Sequence, residues 1–209
     1  MSKNASKNPS PCPLPKEERE IDAVRPGARG FPPVEVYRAL KLIVFDVDGV
    51  LTDGRIVFDA NGVESKCFHV RDGSGIAFLH RAGLKVALIT GRSSPVVEAR
   101  ARDLHIPLEL VKQGAKIKLP VFTQLLAETG VRQAETAFVG DDLIDLPVLE
   151  AVGLACCPGD AHPAIMNVCH AIAKLGGGRG GARQLCEHIL QRRGDGSWER
   201  ALGRYWGKK

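Results

Sequence analysis

The sequence predicts an α/β fold, a Rossmann-like doubly wound parallel sheet with a short β-hairpin flap, and three observations carry that prediction. From Leu42 onward, short apolar runs alternate with stretches of helical periodicity, the pattern of βαβ units. The runs show no polar face, as strands covered by helices on both sides require. With 209 residues, 44% of them hydrophobic and 5% aromatic, the chain holds apolar material for one well-buried core.

Seven of the thirteen prolines fall within the first 33 residues, in a stretch of little apolar content. Such a segment lacks the apolar area to offset ordering entropy, so residues 1–38 are expected to be a flexible arm, followed by a folded domain over 39–193. The expected strands are Leu42 to Asp46, Lys85 to Thr90, Leu108 to Val111, Thr136 to Val139 and Leu154 to Cys157. Arg55 to Val70 breaks the alternation and predicts two strands around the turn Asp59-Ala60-Asn61-Gly62, a hairpin flap. Ser94 as N-cap with Pro95 behind it opens a helix whose Val97, Ala101 and Leu104 share one face. Leu119, Phe122, Leu125 and Leu126 repeat the pattern up to Gly130, and Leu185 and Ile189 mark a helix from about Ala182 to Arg193. Residues 194–209 form an expected C-terminal tail, aromatic for a solvated end with Trp198, Tyr205 and Trp206.

The net charge of +5 is carried by the ends. Residues 1–40 hold seven Lys/Arg against five Asp/Glu, and residues 190–209 hold six against two, which leaves the middle near neutrality. A nucleic-acid-binding fold needs a basic face there, so no nucleic acid is expected as a partner. Six cysteines show neither a CxxC pair nor a His spacing suited to zinc, and reduced thiols in a cytoplasmic protein are expected. No run of about 18 apolar residues and no apolar leader occurs, so neither a membrane span nor a secretion signal is expected.

Four segments each lie where a strand runs out into a loop, the edge at which open α/β sheets hold ligands. After the first strand come Asp46-Val47-Asp48-Gly49, two carboxylates two residues apart before a glycine. One can attack phosphorus while the other exchanges a proton with the leaving oxygen; alone, the motif suits a solvated turn equally well. Thr90-Gly91-Arg92 offers a hydroxyl, a backbone N–H and a guanidinium fork to a phosphate, although alone a plain turn suits it better. Lys118 opens a helix, where its ammonium and the helix dipole would meet an anion; Lys112 and Lys116 are rivals. In Gly140-Asp141-Asp142-Leu143-Ile144-Asp145, Asp141 joined to Asp46 suits Mg2+, Asp142 suits an N-cap, and Asp145 suits a supporting role. The four in this order are far more specific than any one.

In these motifs the chain resembles the haloacid-dehalogenase superfamily. The resemblance implies Asp46 as nucleophile, Asp48 as general acid and base, Thr90 and Lys118 as phosphate binders, and Mg2+ held by Asp46, Asp141 and the Asp48 carbonyl. From Leu42 to Leu190 it resembles more closely the capless 3-deoxy-D-manno-octulosonate 8-phosphate phosphatases. The strings that carry this are Asp46 to Gly54, Val70 to Gly73, Ile89 to Arg92, Val139 to Asp145, Asp160 to Pro163 and Gly177 to Gly180. That likeness implies a small acidic sugar phosphate as substrate, a place in lipopolysaccharide synthesis, and a homotetramer in which a neighbour covers the site. It also implies that Asp48, His69, Val70, Arg71, Asp72, Gly73, Thr90, Gly91, Arg92, Arg100 and Lys118 hold substrate. His69 replaces an asparagine common in the family, and Ala77 a basic residue of some members. Alternatives are a nine-carbon acidic sugar phosphate as substrate, or a non-catalytic tetramerising module, against which the intact Asp46, Asp48, Thr90, Lys118 and Asp141 argue.

Overall fold

The structure, a computed structural model, describes residues 23–205. At its centre β2 (Leu42–Phe45) pairs in parallel with β5 (Lys85–Ile89) on one side and β7 (Thr136–Val139) on the other. Beyond β5 lies β6 (Val111–Lys112), and beyond β7 lie β8 (Leu154–Cys157) and β9 (Ala171–Ala173), all parallel. β1 (Val24–Pro26) closes that edge antiparallel to β9.

The sheet is buried on both faces because its strands are apolar at every position, and alternate residues serve opposite layers. Ile43 and Phe45 point into a core shared with α1 (Val34–Ala39), α2 (Val70–Arg81), α3 (Pro95–Asp103), α7 (Gly181–Arg193) and α8 (Ser197–Tyr205). Leu42 and Val44 point into the other core, with α4 (Lys118–Thr129), α5 (Leu146–Ala151) and α6 (Pro163–Met166). Local signals fix the helix ends. Ser94 accepts from the Val96 amide at 3.3 Å as the N-cap of α3, and Gly130 takes the left-handed conformation (φ 66°) that stops α4. No helix among the described residues is long and apolar enough to cross a membrane.

Several boundaries differ from expectation. The expected arm, 1–38, is folded in its last part: β1 joins the sheet, and Tyr37 of α1 is buried with its hydroxyl 3.1 Å from His188 Nε2. Proline suits both elements, so Pro26 in the edge strand and Pro33 before the helix start are no mark of disorder. Residues 1–22 lie outside the described residues. The expected tail contains α8, which buries Ala201 and sets Trp198 edge-on to Phe78 at 5.7 Å. Residues 206–209 lie outside the described residues. Leu108–Leu110 is a 3-10 turn after Pro107, not a strand, and only Val111–Lys112 pairs with β5. The hairpin is β3 (Val57–Phe58) and β4 (Glu64–Ser65), its turn held by Asp59 Oδ1 accepting from the amides of Asn61 and Val63.

α2 has no counterpart in the sequence expectation, because Gly73 and Gly75 lower its helix propensity. Packing explains both glycines. A Cβ on Gly73 would stand 2.6 Å from Arg100 Nη2, and one on Gly75 3.1 Å from Arg183 Cα, so their absence lets α2 approach α3 and α7.

Candidate active site

Parallel register brings the strand ends level. Phe45 lies beside Leu88 and Val139, so Asp46 and Gly140 leave the sheet together, with Thr90 at the end of β5. Lys118, the first residue of α4, lies across this edge with its side chain 1% exposed. Its Nζ stands 2.9 Å from Asp46 Oδ2 and 2.6 Å from Asp145 Oδ1. The other oxygen of Asp46 accepts from the Val47 amide at 2.7 Å. Lys112 instead pairs with Glu128 at 2.7 Å and Lys116 is exposed, whereas Lys118 stands beside Asp46.

Asp46, Asp141 and Asp145 offer carboxylate oxygens that all lie within 4.8 Å of one another. Asp145 is already committed: besides Lys118, it accepts through Oδ2 from the amides of Asp141 at 3.1 Å and Asp142 at 3.3 Å. Asp141 is not, since its Oδ1 is buried without a hydrogen-bond partner. Its carboxylate occupies the space above Gly49 (φ 89°), where a Cβ would overlap it. Burial pushes the Asp46 carboxyl up to about 7 against the pull of Lys118, and burial together with the charges of Asp46 and Asp145 pushes Asp141 up to about 8. Three carboxylates facing one ammonium are short of two positive charges. The hard oxygens of Asp46 and Asp141 therefore fit Mg2+.

Asp48 follows on the same turn. One of its oxygens pairs with Lys66 Nζ, and the other is buried without a partner. Lys66, its side chain 1% exposed, also lies 3.4 Å from Glu64 Oε1, which accepts from Arg92 Nη2 at 2.9 Å. Asp48, Lys66, Glu64 and Arg92 thus form one alternating chain of charge that ties the hairpin to the Asp46–Gly49 and Thr90–Arg92 loops. Sequence reasoning missed Lys66 and Glu64, because charged residues in a hairpin are ordinarily solvated and no local spacing links them to Asp48.

The remaining expected residues divide. Thr90 is buried at the strand end, and Gly91 packs near Ile144, a Cβ there standing 3.4 Å from its Cδ1. His69 caps α2, accepting from the Arg71 amide at 3.2 Å, and Val70 and Arg71 are exposed on the first turn. Asp72 departs from expectation: it is buried and both oxygens are taken, by the amides of Gly180 at 3.3 Å and Arg183 at 2.8 Å. It anchors the start of α7 instead of presenting a free carboxylate. Gly73 is buried behind it, and Arg100 packs over the Phe68 ring at 5.3 Å and pairs with Asp103 at 2.5 Å. Asp142 caps the turn that follows it, accepting from the Leu143 amide at 2.8 Å.

The chain that carries this arrangement, a carboxylate nucleophile candidate beside a buried ammonium, a second carboxylate two residues on and a cluster of oxygens suited to a divalent cation, is similar to known proteins. The family model for haloacid dehalogenase-like hydrolases matches residues 66–153. The 3-deoxy-D-manno-octulosonate 8-phosphate phosphatase of Escherichia coli K12 is 42% identical over 155 residues, covering 74% of this chain and 81% of that one. The crystal structure of the Yersinia pestis 3-deoxy-D-manno-octulosonate 8-phosphate phosphatase is 38% identical with a TM-score of 0.75, covering 79% of this chain and 88% of that one. The Moraxella catarrhalis phosphatase of the same name, solved with magnesium ion, phosphate ion and KDO, is 32% identical with a TM-score of 0.77, covering 82% and 97%. With its site residues in this geometry and that identity over most of its length, the chain belongs to the haloacid dehalogenase-like hydrolases and, within them, to the family of 3-deoxy-D-manno-octulosonate 8-phosphate phosphatases.

Proposed function

We propose that the chain hydrolyses 3-deoxy-D-manno-octulosonate 8-phosphate to the free sugar acid and phosphate through a phospho-aspartate on Asp46, a step toward lipopolysaccharide in the cytoplasm. The observation that carries this is Asp46 held by Lys118 at 2.9 Å, two residues before Asp48, in a member of this family. An oxygen of Asp46 attacks phosphorus in line, and the bond to the sugar oxygen breaks as Asp48 gives that oxygen a proton. Water then attacks the phosphorus of the aspartyl phosphate, Asp48 takes its proton, and Asp46 leaves as carboxylate. Lys118 and the Thr90 hydroxyl hold phosphate oxygens throughout. Mg2+ bound to Asp46, Asp141 and the Asp48 carbonyl supplies charge neutralisation to the phosphoryl group.

At the sugar end, His69, Val70 and Arg71 at the start of α2 and the Arg92 guanidinium suit a substrate with a carboxylate besides its phosphate. Asp72, Gly73 and Arg100 support that end from behind. The hairpin exposes Ile56, Val57, Phe58 and Val63, each more than half exposed. An apolar flap beside an open site supports a homotetramer in which a neighbour covers both. Among the described cysteines, Cys156, Cys157, Cys169 and Cys186 are free and buried, in keeping with a reducing compartment.

Phosphate release from 3-deoxy-D-manno-octulosonate 8-phosphate with Mg2+ is expected at a kcat/KM of at least ~10^4 M⁻¹s⁻¹. Asp46→Asn is expected to lower it by about 10^3-fold or more, and EDTA to abolish it; release from a nine-carbon acid phosphate alone would overturn the substrate. Lys66→Met removes the group that orients Asp48 and is expected to lower kcat about 10- to 100-fold while Mg2+ half-saturation stays constant; a wild-type rate would remove Lys66 from the machinery.

Asp46 and Asp141 titrate above the ordinary carboxyl value of 3.8, near 7 and 8. The metal-free fold therefore binds more protons than the unfolded chain and loses stability as pH rises from about 4 to about 8. Mg2+ needs both groups ionised, so it is expected to raise Tm more at pH 8 than at pH 6; equal shifts would contradict this. Phe58→Asp is expected to convert a tetramer into smaller species by sedimentation velocity, and an unchanged assembly would exclude the hairpin from the interface.

A further inference from the structure

Two segments that the sequence singles out, Asp160–Pro163 and Gly177–Gly180, supply none of the carboxylates or cations of the site. Both reach it through the backbone. After β8, Asp160 Oδ1 accepts from the Gly177 amide at 2.9 Å, and its carboxylate fills the space where a Cβ on Gly176 would stand. Two residues on, the His162 amide donates to the Asp141 carbonyl at 2.8 Å.

The glycine loop in turn presses on the first catalytic turn. A Cβ on Gly177 would overlap the Gly49 carbonyl oxygen, and one on Gly178 (φ 59°) would stand 2.6 Å from the Asp53 amide nitrogen. The Gly178 amide donates to the Val50 carbonyl at 3.0 Å. The far end of the loop is fastened by Asp72 through the amides of Gly180 and Arg183. The segment after β8 therefore grips Asp141 directly and, through Gly177, the turn that carries Asp48 and Gly49. Those are the two sides of the cation site.

We propose that Asp160 is a positioning residue of this site, fixing the glycine loop and through it the separation of the Asp46–Gly49 turn from Asp141. The inference rests on the phosphatase function proposed above. A loop with glycine at 176, 177, 178, 180 and 181 has wide conformational freedom, so its one geometry must come from its partners. Asp160 is the partner on the metal side, and a carboxylate accepting from a backbone amide is a strong one. It is also exposed, so replacing it leaves the core intact.

The experiment compares wild type, Asp160→Ala and Asp160→Asn as full chains, by Mn2+ binding followed by EPR without substrate and by steady-state phosphate release with Mg2+. Asp160→Ala is expected to weaken Mn2+ binding about tenfold or more and to lower kcat about tenfold with KM within twofold. Asp160→Asn keeps the acceptor and is expected to stay within threefold of wild type in both. Wild-type Mn2+ affinity in Asp160→Ala, with or without a lower Tm, would overturn the proposal, as would an equal loss in Asp160→Asn. Absence of phosphate release by the wild type would overturn the substrate instead, and the Mn2+ measurement would still decide the role of Asp160.

Discussion

The carboxyl edge of the sheet is organised around one buried ammonium, Lys118 Nζ, 2.9 Å from Asp46 and 2.6 Å from Asp145. Burial alone pulls a lysine toward its neutral form, but Asp46 and Asp145 together outweigh that pull and raise its pKa, so it stays charged. The ion pairs do not neutralise the site. Burial, together with the charges of Asp46 and Asp145, raises the Asp141 carboxyl to about 8 against the weaker pull of Lys118. The protein thereby holds an unfavourable concentration of negative charge whose natural complement is a divalent cation and, beside it, an anion that bridges cation and lysine. Preorganised charge of this kind is worth most where water is excluded.

Exclusion of water is where the chain by itself falls short. The insert between the first two catalytic loops is a hairpin with strands of two residues each, and it cannot close over a sugar. Its base is nonetheless fixed, because Lys66 and Glu64 reach inward to Asp48 and Arg92. Its outer surface is apolar and exposed. A flap ordered at its root by ion pairs and presenting Phe58 and Val63 outward fits the proposed assembly, in which the same short element would orient Asp48 and meet the neighbour that covers the site.

The parts of the fold legible in the sequence are those in which one physical signal acts alone. β2, β5, β7 and β8 emerge as apolar runs because both faces are covered, α3 because cap and period agree, and α4 because period and stop agree. β1 and α1 were hidden by prolines that suit an edge strand and a helix start as well as they suit disorder. α2 was hidden because the requirement for close approach at Gly73 and Gly75 overrode helix propensity. In the site, Asp46, Asp48, Lys118 and Asp141 were legible from their position at strand and helix ends. Lys66 was not, since its burial depends on how the hairpin folds back. Asp72 was placed with the substrate residues by the family resemblance, and its side chain turns inward to α7.

Glycine shows most plainly what a sequence withholds. Gly49, Gly140 and Gly177 each stand out as positions where a side chain is missing, yet the reason lies in other residues, far along the chain for Gly49 and Gly177 and on the next turn for Gly140. Gly49 makes room for Asp141, Gly140 for Asp145, and Gly177 for the Gly49 carbonyl. Through these contacts the Asp141 carboxylate lies against the Gly49 backbone, the Asp145 side chain against Gly140, and the Gly177 backbone against the Gly49 carbonyl. Charge concentrated as tightly as at Asp46, Asp141 and Asp145 requires that closeness, because carboxylates held farther apart would neither raise one another's pKa nor share a single cation. The glycines are thus the steric condition for the electrostatics: a Cβ at any of the three would spread the acidic cluster and weaken its demand for a metal before a charge was altered.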